Sequence, residues 1–262
     1  MNQSLAVFWQ FLRRDFYTCR PQLINEFINC TIIFPLLYIL IFGYLQGSLV
    51  FSADSGEKST ILILGSVLLI LVILSSRQAI PVLFDMEGNR FIAYQMSVLK
   101  PPLVIIEYIL FSTLRNFILI TPFVPIAKLT LGHLFQTQNA SYVQLFILLL
   151  LASLLTSAYH FFVVCLVNNS RLIGRIWARY NDPLFMFGGL WAPWYVMNSF
   201  SPMLGYITYA NPFLYITEGL RYAVLQKSEF FHFSTCVIAL LFFSCAFTYG
   251  CTRLLKKHLD HI

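Results

Sequence analysis

The sequence predicts an all-α membrane protein. It is expected to have six transmembrane helices, an N-terminal amphipathic helix in the membrane interface, and re-entrant helices before the last span. Three observations carry this. Residues 61–76, 142–167 and 233–252 contain no Asp, Glu, Lys or Arg, and about 20 uncharged apolar residues suffice to cross a bilayer core as a helix. Of the 262 residues, 58% are hydrophobic and 11% charged, with a mean hydropathy of +0.74; a soluble domain carries about 25% charged residues. The basic residues, finally, gather in a few loops instead of on one soluble face, so the net charge of +6 marks membrane orientation and not a nucleic-acid partner.

In residues 1–26, Leu5, Phe8, Trp9, Leu12 and Phe16 recur at helical i, i+3, i+4 spacing, with Arg14 on the far side. This predicts an amphipathic helix in the cytoplasmic interface, its Trp at headgroup depth. A helix packed on the bundle with no lipid role is the other reading of the same stripe. No signal-peptide pattern is present, because Arg13 and Arg14 follow an aromatic-rich stretch without a small-residue cleavage site.

Residues 27–262 are expected to form the spans, at 27–50, 60–84, 103–127, 142–167, 183–200 and 233–255. The fifth is short, and Gly188, Gly189, Pro193, Asn198, Ser199 and Pro202 interrupt it. Broken helices survive in membranes only where protein or a wet cavity satisfies the freed backbone. Residues 183–227 are therefore expected to hold one bent span and re-entrant half-helices, with 201–232 on the outer side. Six spans place both termini on one side. The N-terminal segment, 85–102, 168–182 and 253–262 together hold 11 of the 17 basic residues, and the opposite loops hold Lys58, Lys128, Arg221 and Lys227. Positive residues inside then put both ends in the cytoplasm.

Enzyme chemistry finds little footing. Phosphate-binding, nucleophile-elbow, zinc-protease and dinucleotide motifs are all missing. The five histidines are scattered, apart from a terminal pair expected to be solvated. The six cysteines (19, 30, 165, 236, 245 and 251) include no C-x-x-C pair, and read as small buried thiols, not disulfides or metal ligands. The chain itself is expected to bind no cofactor and no metal.

Charges inside spans narrow the candidates. Arg115 lies near the midplane of the third span, beside Asn116. A central Arg costs about 2.5–3.5 kcal/mol on insertion scales, so it should face the interior or a wet cavity. It is a candidate for meeting an anionic substrate, or else a partner in helix packing. Arg77 can snorkel from the second span, and Glu107 is expected at the interface. No carboxylate is expected deep in any span, which counts against a proton-driven carrier. Between spans two and three, Asp85, Glu87 and Arg90 precede an apolar stretch ending at Pro101-Pro102. This predicts a short surface helix presenting an acidic start to a cytoplasmic partner.

The order of these segments resembles the ABC-2-type permeases of ABC transporters. Residues 85–102, ending at Leu99-Lys100-Pro101, are similar to that family's cytoplasmic coupling segment, although Gly88-Asn89 stands where Gly-Thr is common. The sharper match is Asn211-Pro212 followed by Glu218-Gly219-Leu220-Arg221-Tyr222-Ala223, just before the last span, with Trp191-Ala192-Pro193-Trp194 and Ser201-Pro202 ahead of it. Gln226 departs from the small residue expected there. The resemblance covers essentially the whole chain and implies the membrane subunit of an ATP-driven exporter in a bacterial inner membrane. ATP and Mg would be held by separate ABC ATPase subunits on the cytoplasmic face. A second permease copy, or a homologous one, would complete the pathway in the bilayer. It further implies that Asp85, Glu87, Arg90, Leu99 and Pro101 serve ATPase coupling, and that Asn211, Pro212, Glu218 and Arg221 belong to an outer gate. Arg115 and Asn116 remain the candidates for the substrate pathway. The form of the 218–223 motif looks most like exporters of polysaccharide and lipid-linked glycans; drug and lipid exporters share much of it. A gradient-driven carrier or membrane scaffold is the alternative.

Overall fold

The computed structural model describes residues 3–41, 55–88, 91–167 and 169–259, and no strand forms among them. Helix α1 (Gln3–Glu26) continues without a break through π-helical turns at Phe27–Ile33 into α2 (Phe34–Tyr38). The rest of the expected first span, 42–50, lies outside the described residues. Next come α3 (Ser55–Gly88), α4 (Phe91–Val98), α5 (Pro101–Ile120) and α6 (Phe123–Leu131). Helix α7 (Tyr142–Val167) follows, and α13 (Phe233–Leu259) closes the described chain.

Five described helical stretches are long and apolar enough to span a membrane: Leu23–Ile41, Gly56–Gly88, Pro101–Leu134, Tyr142–Val167 and Phe233–Lys256. Helix α7 is apolar on every side, as a central helix must be. It is packed by α3, α5 and α13, and its Leu148, Leu149, Ala152 and Leu155 lie in the main core. It runs parallel to α13: Tyr159 meets Phe247 at 5.3 Å between ring centroids, and the Cys165 and Cys251 thiols lie 3.2 Å apart. All six cysteines are free, four of them buried, in keeping with the reading as small thiols.

The expected span at 183–200 is not one helix. Helical structure instead runs over 170–190, as α8 (Ser170–Ile176), π-helical Trp177–Asn181, α9 (Asp182–Phe185) and π-helical Met186–Leu190. Gly188 and Gly189 end it, the latter at φ +80°. At 1.5 Å per residue the 170–190 run is about 30 Å long. Its basic half, Arg171, Arg175 and Arg179, hid it from hydropathy. Three short helices follow: α10 (Trp194–Phe200), α11 (Pro202–Tyr209) and α12 (Leu214–Leu225). Just before α12, Phe213 stacks edge-on against Tyr159 at 5.0 Å, about 25 Å down α7 from Tyr142. Helix α12 rises from there until the Ala223 carbonyl accepts from the Ser141 amide, 2.8 Å away. Its start is therefore deep in the bundle.

The N-terminal helix lies along α5. Phe11 packs with Leu99 and Val104, Phe16 meets Phe111 at 5.0 Å, and the Thr31 hydroxyl donates to the Leu119 carbonyl at 2.8 Å. Leu5, Trp9 and Tyr17 face outward.

Candidate functional site

The end of the bundle carrying α4 forms a compact junction. The Asp85 carboxylate accepts from the Ile92 amide at 2.9 Å, tying the end of α3 to the first turn of α4. Glu87 accepts from the Ser170 amide, joining the same end of α3 to the start of the 170–190 run. On α4, buried Gln95 accepts from the Tyr108 hydroxyl of α5 at 2.7 Å. Leu99 is buried against Phe11 of α1, and Pro101 opens α5 in the first turn, where its missing N–H costs nothing. Five helical elements thus meet on residues 85–101: α1, α3, α4, α5 and the start of the 170–190 run. Arg90 lies outside the described residues. The expected surface helix is present as α4, but Asp85 and Glu87 are engaged within the chain as well as standing at its surface.

The second constellation surrounds the break in the 170–190 run. Ending a helix at Gly188-Gly189 frees carbonyls that lipid cannot satisfy. The carbonyl of Gly189 has no helical donor to gain from position 193, because Pro193 has no N–H. Side chains from 211–221 take these acceptors. Asn211 Nδ2 donates to the Leu184 carbonyl at 2.6 Å, Thr217 Oγ1 to Gly188 at 2.8 Å, and Arg221 Nη2 to Gly189 at 2.5 Å. Arg221 Nε and Nη2 also reach the Ile61 carbonyl of α3, both at 3.3 Å. Glu218, one helical turn before, pairs with Arg221 Nη1 at 3.1 Å and accepts from the Trp194 amide at 2.9 Å. Both charged side chains are fully buried.

Glycine makes this approach possible at two places. A Cβ on Gly65 would collide with the Leu190 carbonyl oxygen, and one on Gly189 with Thr217 Oγ1. At the start of α12, Asn211 Oδ1 also caps the Phe213 amide at 3.0 Å, beside Pro212. At its end, Gln226 adopts a left-handed conformation, φ 52°. Glycine is the residue favoured in that position, which explains why a small residue is expected there.

The third constellation lies between α1, α3, α5 and α7. Arg115 forms an ion pair with Glu26 of α1. Asn116 Nδ2 donates to Ser75 at 2.8 Å and to Ser157 at 3.2 Å, and its Oδ1 accepts from Gln78 Nε2 at 2.8 Å. Asn116 is therefore the hub of a buried clamp joining three helices, while Arg115 sits beside it on the α1 seam. A small cavity of about 50 Å³, lined by Phe16, Leu23, Phe111 and Ile118, adjoins Arg115.

Glu107 lies about 9 Å into α5, near the start of that helix. Its side chain is fully buried within the protein, and neither carboxylate oxygen receives a hydrogen bond. Together with the buried Glu218, it removes the lack of an inward carboxylate as grounds against a proton-driven carrier.

Sequence reasoning brought Glu218 and Arg221 together correctly as an i, i+3 pair. It missed Glu26, Gln95, Thr217 and Gly65. Thr217 was open to inspection, next to Glu218 in the same motif. Gly65, interrupting an otherwise bulky run, was the other visible signal. Glu26 stands 89 residues from its partner and left none. No group of three or more His, Cys, Asp or Glu is arranged to hold a metal among the described residues.

A family model described as "ABC-2 type transporter" matches residues 6–225. No curated protein and no solved structure matches the chain.

Proposed function

The chain belongs to the ABC-2 type transporter family, as the membrane-spanning permease component of an ABC transporter, and on that premise we propose that it exports an amphiphilic substrate under the drive of separate ATPase subunits. The substrate class is lipid-linked polysaccharide, lipid or drug. The ATPases bind ATP and Mg on the cytoplasmic face of a bacterial inner membrane, and both termini of this chain lie on that face. A second copy or a homologous permease forms the other wall of the pathway.

One observation carries the reading: the junction at residues 85–101. A push on α4 bears at once on α3, α5, α1 and the start of the 170–190 run through Asp85, Gln95, Leu99 and Glu87. A moving ATPase needs such a contact, since a ligand shifts an equilibrium only by interacting differently with its two states. Arg90 and Pro101 complete the coupling segment. Toward the far side of the bundle, Glu218 and Arg221 brace the gate-forming helices α10 to α12, while Asn211 and Pro212 anchor the start of α12 deep within it. Arg115 faces the pathway with Glu26 as its resident counter-charge, and Asn116 beside it ties α5 to α3 and α7.

A gradient-driven carrier is the second reading, and buried Glu107 favours it. The two part on one experiment. In proteoliposomes holding the permease with its ATPase, Glu87→Lys is expected to abolish ATP-dependent movement of a labelled amphiphile while leaving the permease folded. Unchanged ATP-dependent transport overturns the coupling assignment. Transport driven by a proton gradient without ATP, and lost in Glu107→Gln, establishes the carrier.

A further inference from the structure

A groove of about 680 Å³ lies on the outer face of α1 against α5, well away from the Arg221 network. Its floor is apolar, made by Leu12, Phe16 and Leu114, and Trp9 and Tyr17 form its flank. Two guanidinium groups, Arg13 and Arg20, open into it, seven residues apart on one face of α1. Both are exposed.

These two arginines lack the carboxylate partner that the arginines nearest the groove possess. The neighbouring Arg14 has a carboxylate in Asp15, and Arg115 has one in Glu26. Among the described residues Arg13 and Arg20 form no ion pair. Arg13 is steadied by the Tyr17 ring, 5.4 Å from its guanidinium carbon, and by a long 3.4 Å bond to the Tyr17 hydroxyl, which leaves most of its donors free. The apolar stretch Leu23–Ile41 begins three residues after Arg20, so the groove lies where the helix enters the apolar layer. Side chains lean toward a helix's N-terminus, which carries both cations away from that layer, toward headgroup depth.

We propose that this groove binds an anionic phospholipid of the adjoining leaflet, with the phosphate between Arg13 and Arg20 and an acyl chain along Leu12, Phe16 and Leu114. Guanidinium forks match phosphate oxygens bidentately, and an indole at interface depth suits Trp9. The lipid is a resident of the permease and not its cargo, so the site stands whether or not transport is ATP-driven. By covering the α1–α5 seam it holds α1 beside the Glu26–Arg115 pair.

Native mass spectrometry of the full chain in mild detergent, titrated with phosphatidylglycerol and separately with phosphatidylcholine, tests this. Phosphatidylglycerol is expected to be retained in preference. Retention in the Arg13→Gln/Arg20→Gln variant should fall about 30-fold, the contribution of two basic residues at a membrane surface. Arg13→Lys/Arg20→Lys should retain an intermediate amount, and Arg253→Gln, on the far end of α13, should match the parent. Equal retention of both lipids, or no loss in the double Gln variant, overturns the proposal. Displacement by inorganic phosphate at the same concentration also overturns it, since the site would then recognise the anion without the chain.

Discussion

Arg221 and Arg115 are both buried arginines in an apolar bundle, and the fold uses them in opposite ways. Arg221 is closed in. Its guanidinium meets a carboxylate and the carbonyls of two other helical segments, and glycines at 65 and 189 let the backbone approach it. Arg115 has one carboxylate, Nε without a hydrogen-bond partner, and a small cavity beside it. Its Glu26 partner sits at the end of α1 and remains partly exposed. The contrast teaches that burial alone does not assign a role to a membrane arginine. What decides is how many of its donors the backbone has already taken. Arg221 braces a break; Arg115 holds a charge at the α1–α5 seam.

The contrast breaks first at Arg221. Arg221→Leu leaves Glu218 buried and the Gly189 carbonyl unmatched, and removing one member of a buried pair costs about 3–5 kcal/mol. Its thermal unfolding midpoint in detergent should fall far below that of the parent. Arg221→Lys should recover little, because one ammonium cannot span three acceptors set around a planar fork. A midpoint within experimental scatter of the parent would remove the bracing role.

A smaller effect is expected at Gly65. Gly65→Ala pushes a methyl group toward the Leu190 carbonyl, and overpacking of this kind costs about 1–3 kcal/mol. The same thermal measurement reads it. Gly174→Ala is the control, since nothing lies within 4 Å of a Cβ there.

The smallest effect belongs to the seam. Replacing both members of a buried ion pair by apolar residues is often neutral or stabilising, so Arg115→Met/Glu26→Met should unfold no earlier than the parent. Its transport should change even so, if the pair meets the substrate. A large loss of stability in the double variant would make Arg115 a second brace and erase the distinction.

Much of this was legible in the sequence. Uncharged runs gave α7 and α13, and Pro101 marked the start of α5. The i, i+3 spacing exposed the Glu218–Arg221 pair. The helical run at 170–190 was missed because Arg171, Arg175, Arg179 and Asp182 lower its hydropathy, while the apolar residues after Gly189 belong to short helices. The acceptors of Arg221 were hidden for another reason. They are backbone carbonyls, which carry no residue signature, and only the break at Gly188-Gly189 makes them available. Glu26 was hidden by distance along the chain, and Glu107 by the covering of a helix end that hydropathy treats as interface.

The central claim is that this permease is worked by a separate ATPase through residues 85–101. The most direct measurement is quantitative mass spectrometry of proteins that co-purify with the tagged full chain from its native membrane in mild detergent. A P-loop ATPase in near-stoichiometric amount is the expected result. An intact, monodisperse permease that brings down no such protein would contradict the account and favour the gradient-driven carrier.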